Sequence, residues 1–552
     1  MTNVSKLADR YLDLRISTDS IGSLWKGDLD FLEDWEDVTL EGKATKVAAF
    51  RRIAEASREY HPASIEEEVT LATIAQSAAS YLEELTFREE VTWVNPHVGL
   101  HAMVVSFLPH YVLSTREHGA KYLKKLENLA VLVDQTDVQV NNAYAQGRLA
   151  NRSILEQTVA NIDRHLALPI EVDPLNAQAP PTEMTEAGSA RWRQQLEDSI
   201  LGVVRPAFAR HRDLLASLIP EARPDSQPGL CYLDGGSGLY ERLIWAHTTL
   251  HLTPNRIHEI GLEQIARLED EYRETAGPLV EASDPAEIFR RLRDNRDLHY
   301  RDRDSIVSDA VTALARAADR ASSWFGAMPT ADCVVRPTDS GPLAYYSQPD
   351  RQTGKPGTFF VNVANPEAWG KYQLETVTFH ESIPGHHLQI ALALENPALH
   401  PVQSEISIGA FAEGWALYAE RIADEMGLFS SEMNRVGMLA DDSLRACRLV
   451  VDTGIHSLGW SRDQGIEFFI EHSPLTLPQV RSEVDRYLGI PGQALSYMIG
   501  RLEIERLRSD SQRSLGSRFN VRDFHDSVLS SGSVPLPALR RAVEQRLGLT
   551  HP

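Results

Sequence analysis

The sequence predicts a mostly α-helical protein with one small β-sheet. Two long runs, Ile65 to Phe87 and Ser305 to Phe325, carry apolar residues at spacings of three and four, the period of a helix with one buried face. Sequence of β type is confined to one island, Asp332 to Val363. The composition is that of a globular chain: 552 residues, 42% hydrophobic and 24% charged.

Along the chain, the Ile65 run comes first. The polar, proline-containing stretch Asp173 to Gly188 then predicts an exposed loop between helices. Thr253-Pro254 supplies a capping side chain and a proline in the first turn, so a helix is expected from there to about Thr275. Asp284-Pro285-Ala286-Glu287 has the spacing of a capping box before Ile288 and Phe289. After the Ser305 run, Cys333-Val334-Val335, Leu343 to Tyr346 and Thr358 to Val363 read as short strands separated by Gly, Pro, Asp and Ser. The small sheet is either a structural hairpin on the helices or an edge open to an extended peptide. Ile406 to Ala423 is helical again, with Phe411, Trp415, Leu417, Tyr418 and Ile422 recurring on the helical period. No fixed-period repeat and no low-complexity tract interrupts this order.

Length alone would allow roughly three or four domains. The candidate site residues spread from about 340 to 530, which argues for fewer. The expected organisation is a helical portion, 1–330, forming one wall of a cleft, and a chemistry-bearing portion, 331–552, joined as one continuous unit. The balance of 78 acidic against 55 basic residues, a formal charge of −23, speaks against nucleic acid as a partner and favours neutral or cationic substrates. The first residues, Met1 to Tyr11, lack an apolar core, so no secretory signal is expected. No apolar run approaches the ~18–20 residues of a membrane span. Cys231, Cys333 and Cys447 are odd in number, far apart and without CxxC spacing. They suit a reducing cytoplasm and speak against thiolate zinc ligation. No pattern specifies an oligomeric state.

Chemistry concentrates in Phe379-His380-Glu381-Ser382-Ile383-Pro384-Gly385-His386-His387. A zinc hydrolase needs neutral imidazoles to hold the ion and a carboxylate base beside them. In the common H-E-x-x-H arrangement the histidines lie at i and i+4 on one helical face. Here Pro384 occupies i+4, and the next histidines come at i+6 and i+7. On an unbroken helix His387 would lie about 10.5 Å from His380 along the axis, and His386 would point about 120° away. Neither could share an ion with His380 at about 2.0–2.1 Å. Pro384 disrupts the helical ladder and Gly385 tolerates unusual backbone angles, so the pair reads as an insertion that returns His386 to His380, with His387 the second choice. The alternative is that Pro-Gly ends the helix and the two histidines are surface residues of the next. A third ligand is offered by Glu413, a carboxylate set among Phe411, Gly414 and Trp415, seven residues before Glu420 on a similar face. Two histidines and a glutamate from a second helix make the His₂Glu set of many catalytic zinc sites.

The string H-E-x-x-P-G-H-H, followed by F-x-E-G-W-A-x-Y-x-E, resembles the bacterial domain-of-unknown-function family 885, which is similar to the gluzincin metallopeptidases. The resemblance takes in Gly236 to Leu262, Arg445 to Trp460, Ser496 to Gly500, Phe524 to Leu529 and Gly532 to Leu536, and so most of the chain. It implies a large helical zincin-like fold with the small sheet beside the active-site cleft. It also implies one zinc ion held by His380, a histidine of the 386/387 pair and Glu413, with Glu381 as general base. Tyr497 resembles the tyrosine that related helical peptidases use to stabilise the oxyanion, and His525 would assist there.

Each later residue also has a structural reading. Tyr497 can be a core tyrosine with a satisfied hydroxyl. His525 beside Asp526 reads as a helix-surface pair. Arg445, Arg448, Asp452 and His456 share one helical stripe, which reads as an intrahelical ion-pair network, against the alternative of an arginine clamp on a substrate carboxylate. The function expected is a zinc-dependent amide hydrolase, a peptidase of short peptides. The alternatives are a metal-binding or metal-free scaffold, and a hydrolase of a non-peptide amide metabolite.

Overall fold

The computed structural model describes residues 3–18, 29, 32–90, 94–339, 341–350 and 354–549. Met1 and Thr2 of the N-terminal stretch, and Ser340 and 351–353 of the β island, lie outside them. The described residues are mostly helical and include one three-stranded sheet. No described helix is long and apolar enough to cross a membrane. Two compact units result: Met1–Ala8, Ala56–Ser80 and Tyr240–Pro552 form the first, and Asp9–Glu55 and Tyr81–Leu239 the second.

In the second unit Phe50 packs between Tyr11 and Tyr81, with ring centroids 6.1 and 4.5 Å away. The loop expected after Asp173 is exposed only in part, being anchored at several buried side chains. Asp173 is buried, accepts from the Arg205 guanidinium at 2.8 Å and lies 3.2 Å from His165, which meets His101 at 3.0 Å. Leu175 and Gln178 are buried too, and a helix begins at Glu186, before the loop was expected to end. A buried carboxylate costs several kcal/mol unless charge and hydrogen bonds compensate it, which is what Arg205 and His165 supply. Composition alone does not show such partners.

The first unit holds the candidate site. Helix α1, Pro254–Thr275, starts where expected: the Thr253 hydroxyl accepts from the Arg256 N–H at 3.2 Å. At Pro285–Asp294 the Asp284 carboxylate caps the Glu287 N–H, but the Glu287 side chain turns to Arg290 and Arg291, so the box closes on one side only. Helix α2, Arg303–Ala321, buries Ile306, Ala310, Ala313, Leu314 and Ala317 on one stripe. Strands β1 (Cys333–Thr338), β2 (Ala344–Ser347) and β3 (Gly357–Asn362) follow. They are not a simple hairpin: β3 is central, parallel to β1 and antiparallel to β2, with Phe359 and Val361 fully buried.

Next come α3 (Leu374–Glu381), α4 (His386–Glu395), α5 (Gly409–Glu425), α6 (Glu432–His456), α7 (Leu477–Gly489), α8 (Ser496–Leu515) and α9 (Val521–Leu529). Two glycines let α5 and α8 cross at backbone contact. A Cβ on Gly500 would lie 1.9 Å from the Ala410 carbonyl oxygen, and one on Gly414 2.6 Å from the Gly500 Cα. A buried ion network ties the same helices together. Asp442 of α6 pairs with Arg501 of α8 and with Arg421 of α5, and Arg421 reaches Glu271 of α1 at 2.7 Å.

Candidate metal centre

The Pro-Gly insertion is a four-residue loop, Ser382 to Gly385, between α3 and α4. Its backbone keeps hydrogen bonds to both helices. The Gly385 N–H donates to the Phe379 carbonyl at 2.9 Å, and the His387 N–H to the Ser382 carbonyl at 3.1 Å. The loop doubles back so tightly that a Cβ on Gly385 would sit 1.9 Å from the His380 carbonyl oxygen. From α5 the Trp415 indole donates to the Pro384 carbonyl at 3.0 Å. As a result the His380 and His386 rings meet edge to face, with centroids 4.8 Å apart.

Glu413 projects from α5 toward both rings. Its Oε2 lies 3.6 Å from His380 Nε2 and 3.5 Å from His386 Nε2. One ligand atom from each of the three residues falls within 4.8 Å of the others. The N···O separations exceed the 2.7–3.2 Å range of good N–H···O bonds. They are close to the ~3.3 Å between neighbouring ligands of a tetrahedral ion with bonds of about 2.0–2.1 Å. Among the described residues this is the only such group of His, Cys, Asp and Glu side chains.

His380 is aimed by Glu420, whose role the sequence pattern does not reveal. Its Nδ1 meets Oε1 of the fully buried Glu420 at 2.7 Å, so the proton resides there and Nε2 faces Glu413. The seven-residue spacing of Glu413 and Glu420 was legible as a shared helical face; the imidazole bridging them was not. Burial disfavours a charged His380, but hydrogen bonding with Glu413 and Glu420 outweighs it and lifts its pKa to about 10. Burial also works against the Glu413 carboxylate, yet the two histidines hold it well below the usual carboxylate range. Burial, with Asp441 nearby, raises Glu420 to about 7. Three carboxylates, Glu381, Glu413 and Glu420, thus surround two imidazoles, and the pocket favours positive charge. His386 Nδ1 is buried without a hydrogen-bond partner, so this ring has only its Nε2 end engaged. The donor set and spacing fit zinc.

His387 points elsewhere. Its Nε2 lies 3.1 Å from the Ala331 carbonyl, to which it donates, and its Nδ1 accepts from the Tyr346 hydroxyl of β2 at 2.8 Å. Glu381 ends α3, half-buried, and its negative charge is felt by His380 and by Cys333 at the start of β1.

Tyr497 lies three residues before Gly500 on α8, with its ring among Arg445 and Arg448 of α6 and Arg486 of α7. It is 7% exposed, and its hydroxyl accepts from Arg486 at 3.3 Å. Arg445 connects it to the centre, with its guanidinium 5.6 Å from the Tyr497 ring centroid and 3.9 Å from Glu420.

The stripe on α6 is not an intrahelical network. Only Arg445 pairs within the helix, with Asp441 at 3.2 Å. Arg448 reaches Glu483 of α7 at 2.8 Å, Asp452 takes the Tyr240 hydroxyl and the Gly492 N–H, and His456 meets the Tyr487 carbonyl. His525 is likewise no surface pair. It is fully buried between Phe325, Trp415 and Phe524, with Nδ1 donating to the Trp324 carbonyl and Nε2 accepting from the Tyr418 hydroxyl. Asp526 instead accepts from the Gly326 N–H at 2.8 Å. Both ring nitrogens of His525 are therefore committed to structure.

Against known proteins, the family described as bacterial protein of unknown function (DUF885) matches residues 21–543. A crystal structure of a candidate lipoprotein from Colwellia psychrerythraea is similar over 99% of each chain, with 25% sequence identity and a TM-score of 0.90. A candidate lipoprotein of unknown function from Shewanella oneidensis shares the fold over 98% of this chain and 99% of its own, at 18% identity and a TM-score of 0.74. No curated protein matches the chain.

Proposed function

This chain belongs to the bacterial family DUF885, and we propose that it is a zinc-dependent hydrolase of peptide bonds with a gluzincin-like active site. The observation that carries this reading is the convergence of His380, His386 and Glu413 on one point, with Glu381 next in the chain to the first ligand. Pro384 at the usual second-ligand position would suit a metal-free scaffold; against that, the Ser382–Gly385 loop brings the His386 ring to the His380 ring, which supports the metal reading.

In this mechanism His380, His386 and Glu413 would hold Zn²⁺, which when bound would acidify water and polarise a carbonyl. Glu381 takes a proton from the attacking water as its oxygen bonds to the scissile carbonyl carbon. Tyr497, whose oxygen accepts from Arg486, donates its O–H to the developing oxyanion. The C–N bond then breaks, and Glu381 passes its proton to the leaving amine. Glu420 holds the His380 tautomer throughout. Short, unfolded peptides are the substrates, and we place the protein in the cytoplasm. An odd number of cysteines, Cys231, Cys333 and Cys447, far apart in the chain, suits that compartment.

Elemental analysis of the purified protein, beside His380→Ala, tests the centre, and peptide hydrolysis by Glu381→Gln tests the base. About one zinc per chain in wild type and little in His380→Ala is expected, with Glu381→Gln slower by several orders of magnitude. Wild type that takes up no zinc, or a Glu381→Gln enzyme as fast as wild type, sinks the mechanism.

A further inference from the structure

Tyr497 is ringed by guanidinium groups. Arg448, Arg445 and Arg486 lie 4.4, 5.6 and 6.0 Å from its ring centroid. Two of them are tied to carboxylates at short range, Arg448 to Glu483 at 2.8 Å and Arg445 to Asp441 at 3.2 Å. Arg486 differs. Its Nη2 donates to the Gln493 amide oxygen at 2.7 Å and to the Tyr497 hydroxyl at 3.3 Å, while its nearest carboxylate, Glu483, stands 3.9 Å away, outside hydrogen-bond range. It is also the most open of the three, with 30% of its side chain exposed against 10% for Arg445 and 4% for Arg448. Behind it, Arg445 Nε and Arg448 Nη1 are buried donors without a partner. Three cations around one phenol, with donors unspent, form a receptor for an anion.

We propose that Arg486, backed by Arg445 and Arg448, binds the free C-terminal carboxylate of the substrate, so that this protein removes residues from peptide C-termini. The assignment rests on the peptidase reading, because it is Tyr497 at the oxyanion that sets the distance. Arg486 Nη2 is 3.3 Å from that hydroxyl, and one extended residue spans about 3.3–3.6 Å. A carboxylate on the guanidinium and a scissile carbonyl at the hydroxyl are therefore one or two residues apart. An acidic side chain just beyond the cleaved bond would present the same chemistry.

The test uses N-acetylated tetrapeptides made as C-terminal acids and as C-terminal amides, some of the amides ending in glutamate. Cleavage is followed with the zinc-loaded wild type, and binding by calorimetry with zinc-loaded Glu381→Gln. The acid forms are expected to be cleaved and bound at least about tenfold better than the amides, with release of one or two C-terminal residues. Arg486→Gln should narrow that preference to within about twofold, mainly through KM, and Arg486→Lys should restore part of it. Equal cleavage of acids and amides overturns the carboxylate site and leaves the peptidase reading standing. Efficient cleavage of the glutamate amides reassigns the arginines to an acidic side chain and overturns it as well. If no peptide is cleaved while acids still bind in an Arg486-dependent way, the peptidase reading fails and the anion site survives.

Discussion

Glu420 shows how much of the centre depends on a side chain outside the ligand set. Its carboxylate is fully buried and spends one oxygen on His380 Nδ1, while its second oxygen has no partner. Glu420→Gln keeps an acceptor for that N–H and removes the charge. Zinc affinity, measured by competition with a chromophoric chelator, should fall about 10–100-fold with the fold retained. An unchanged affinity would show that packing alone aims the ring. His525 offers the opposite case, an imidazole kept neutral. Burial pushes its pKa down to about 4, against about 6.5 in the unfolded chain. Between those values the unfolded state binds the extra proton, so this stabilisation is complete above pH 6.5 and is lost as pH falls toward 4, by up to about 3 kcal/mol. Urea unfolding at pH 7 and pH 5 should show a smaller loss for His525→Asn than for wild type; parallel losses would remove His525 from the account.

At the scale of elements, two backbone approaches set the geometry. Gly385→Ala would drive a Cβ into the His380 carbonyl and should displace His386, lowering zinc affinity. Gly500→Ala would push α8 off α5 and should cost about 1–3 kcal/mol of stability. Thermal unfolding and zinc titration of both variants separate the two effects. The same elements mark what was legible in the chain. The caps at Thr253 and Asp284, the helical runs and the three strand segments follow from local rules, because the groups that satisfy them lie within a few residues. The order β1-β3-β2 depends on which strand becomes central, and short apolar runs do not encode that. Likewise an ideal helix cannot choose between His386 and His387; the hydrogen bonds of the Ser382–Gly385 loop make the choice. Arg448, Asp452 and His456 matched an intrahelical pattern by spacing, but their partners come from other segments whose approach no local pattern reveals.

At the scale of the whole molecule, every residue assigned to the centre and to the arginine ring belongs to the first compact unit, and none to the second. Zinc binding only to the folded state stabilises by RT ln(1 + [Zn]/Kd), about 4 kcal/mol at a thousandfold excess over Kd. Calorimetry with and without a chelator should therefore shift the transition that carries the first unit and leave any separate transition of the second in place. A chelator shift in both would mean that the two unfold as one.

The four side chains of the candidate metal centre, His380, His386, Glu413 and Glu420, all come from Leu374–Glu425, whereas Tyr497 arrives from much later in the chain. Short chain separations close with less entropic cost and sooner than long ones. The histidines and glutamates should accordingly find each other early in refolding, and the tyrosine and its arginines late. On the proposed function, stopped-flow refolding with a zinc-sensitive dye is expected to show metal capture ahead of recovered hydrolysis, so that the chain chelates before it can cut.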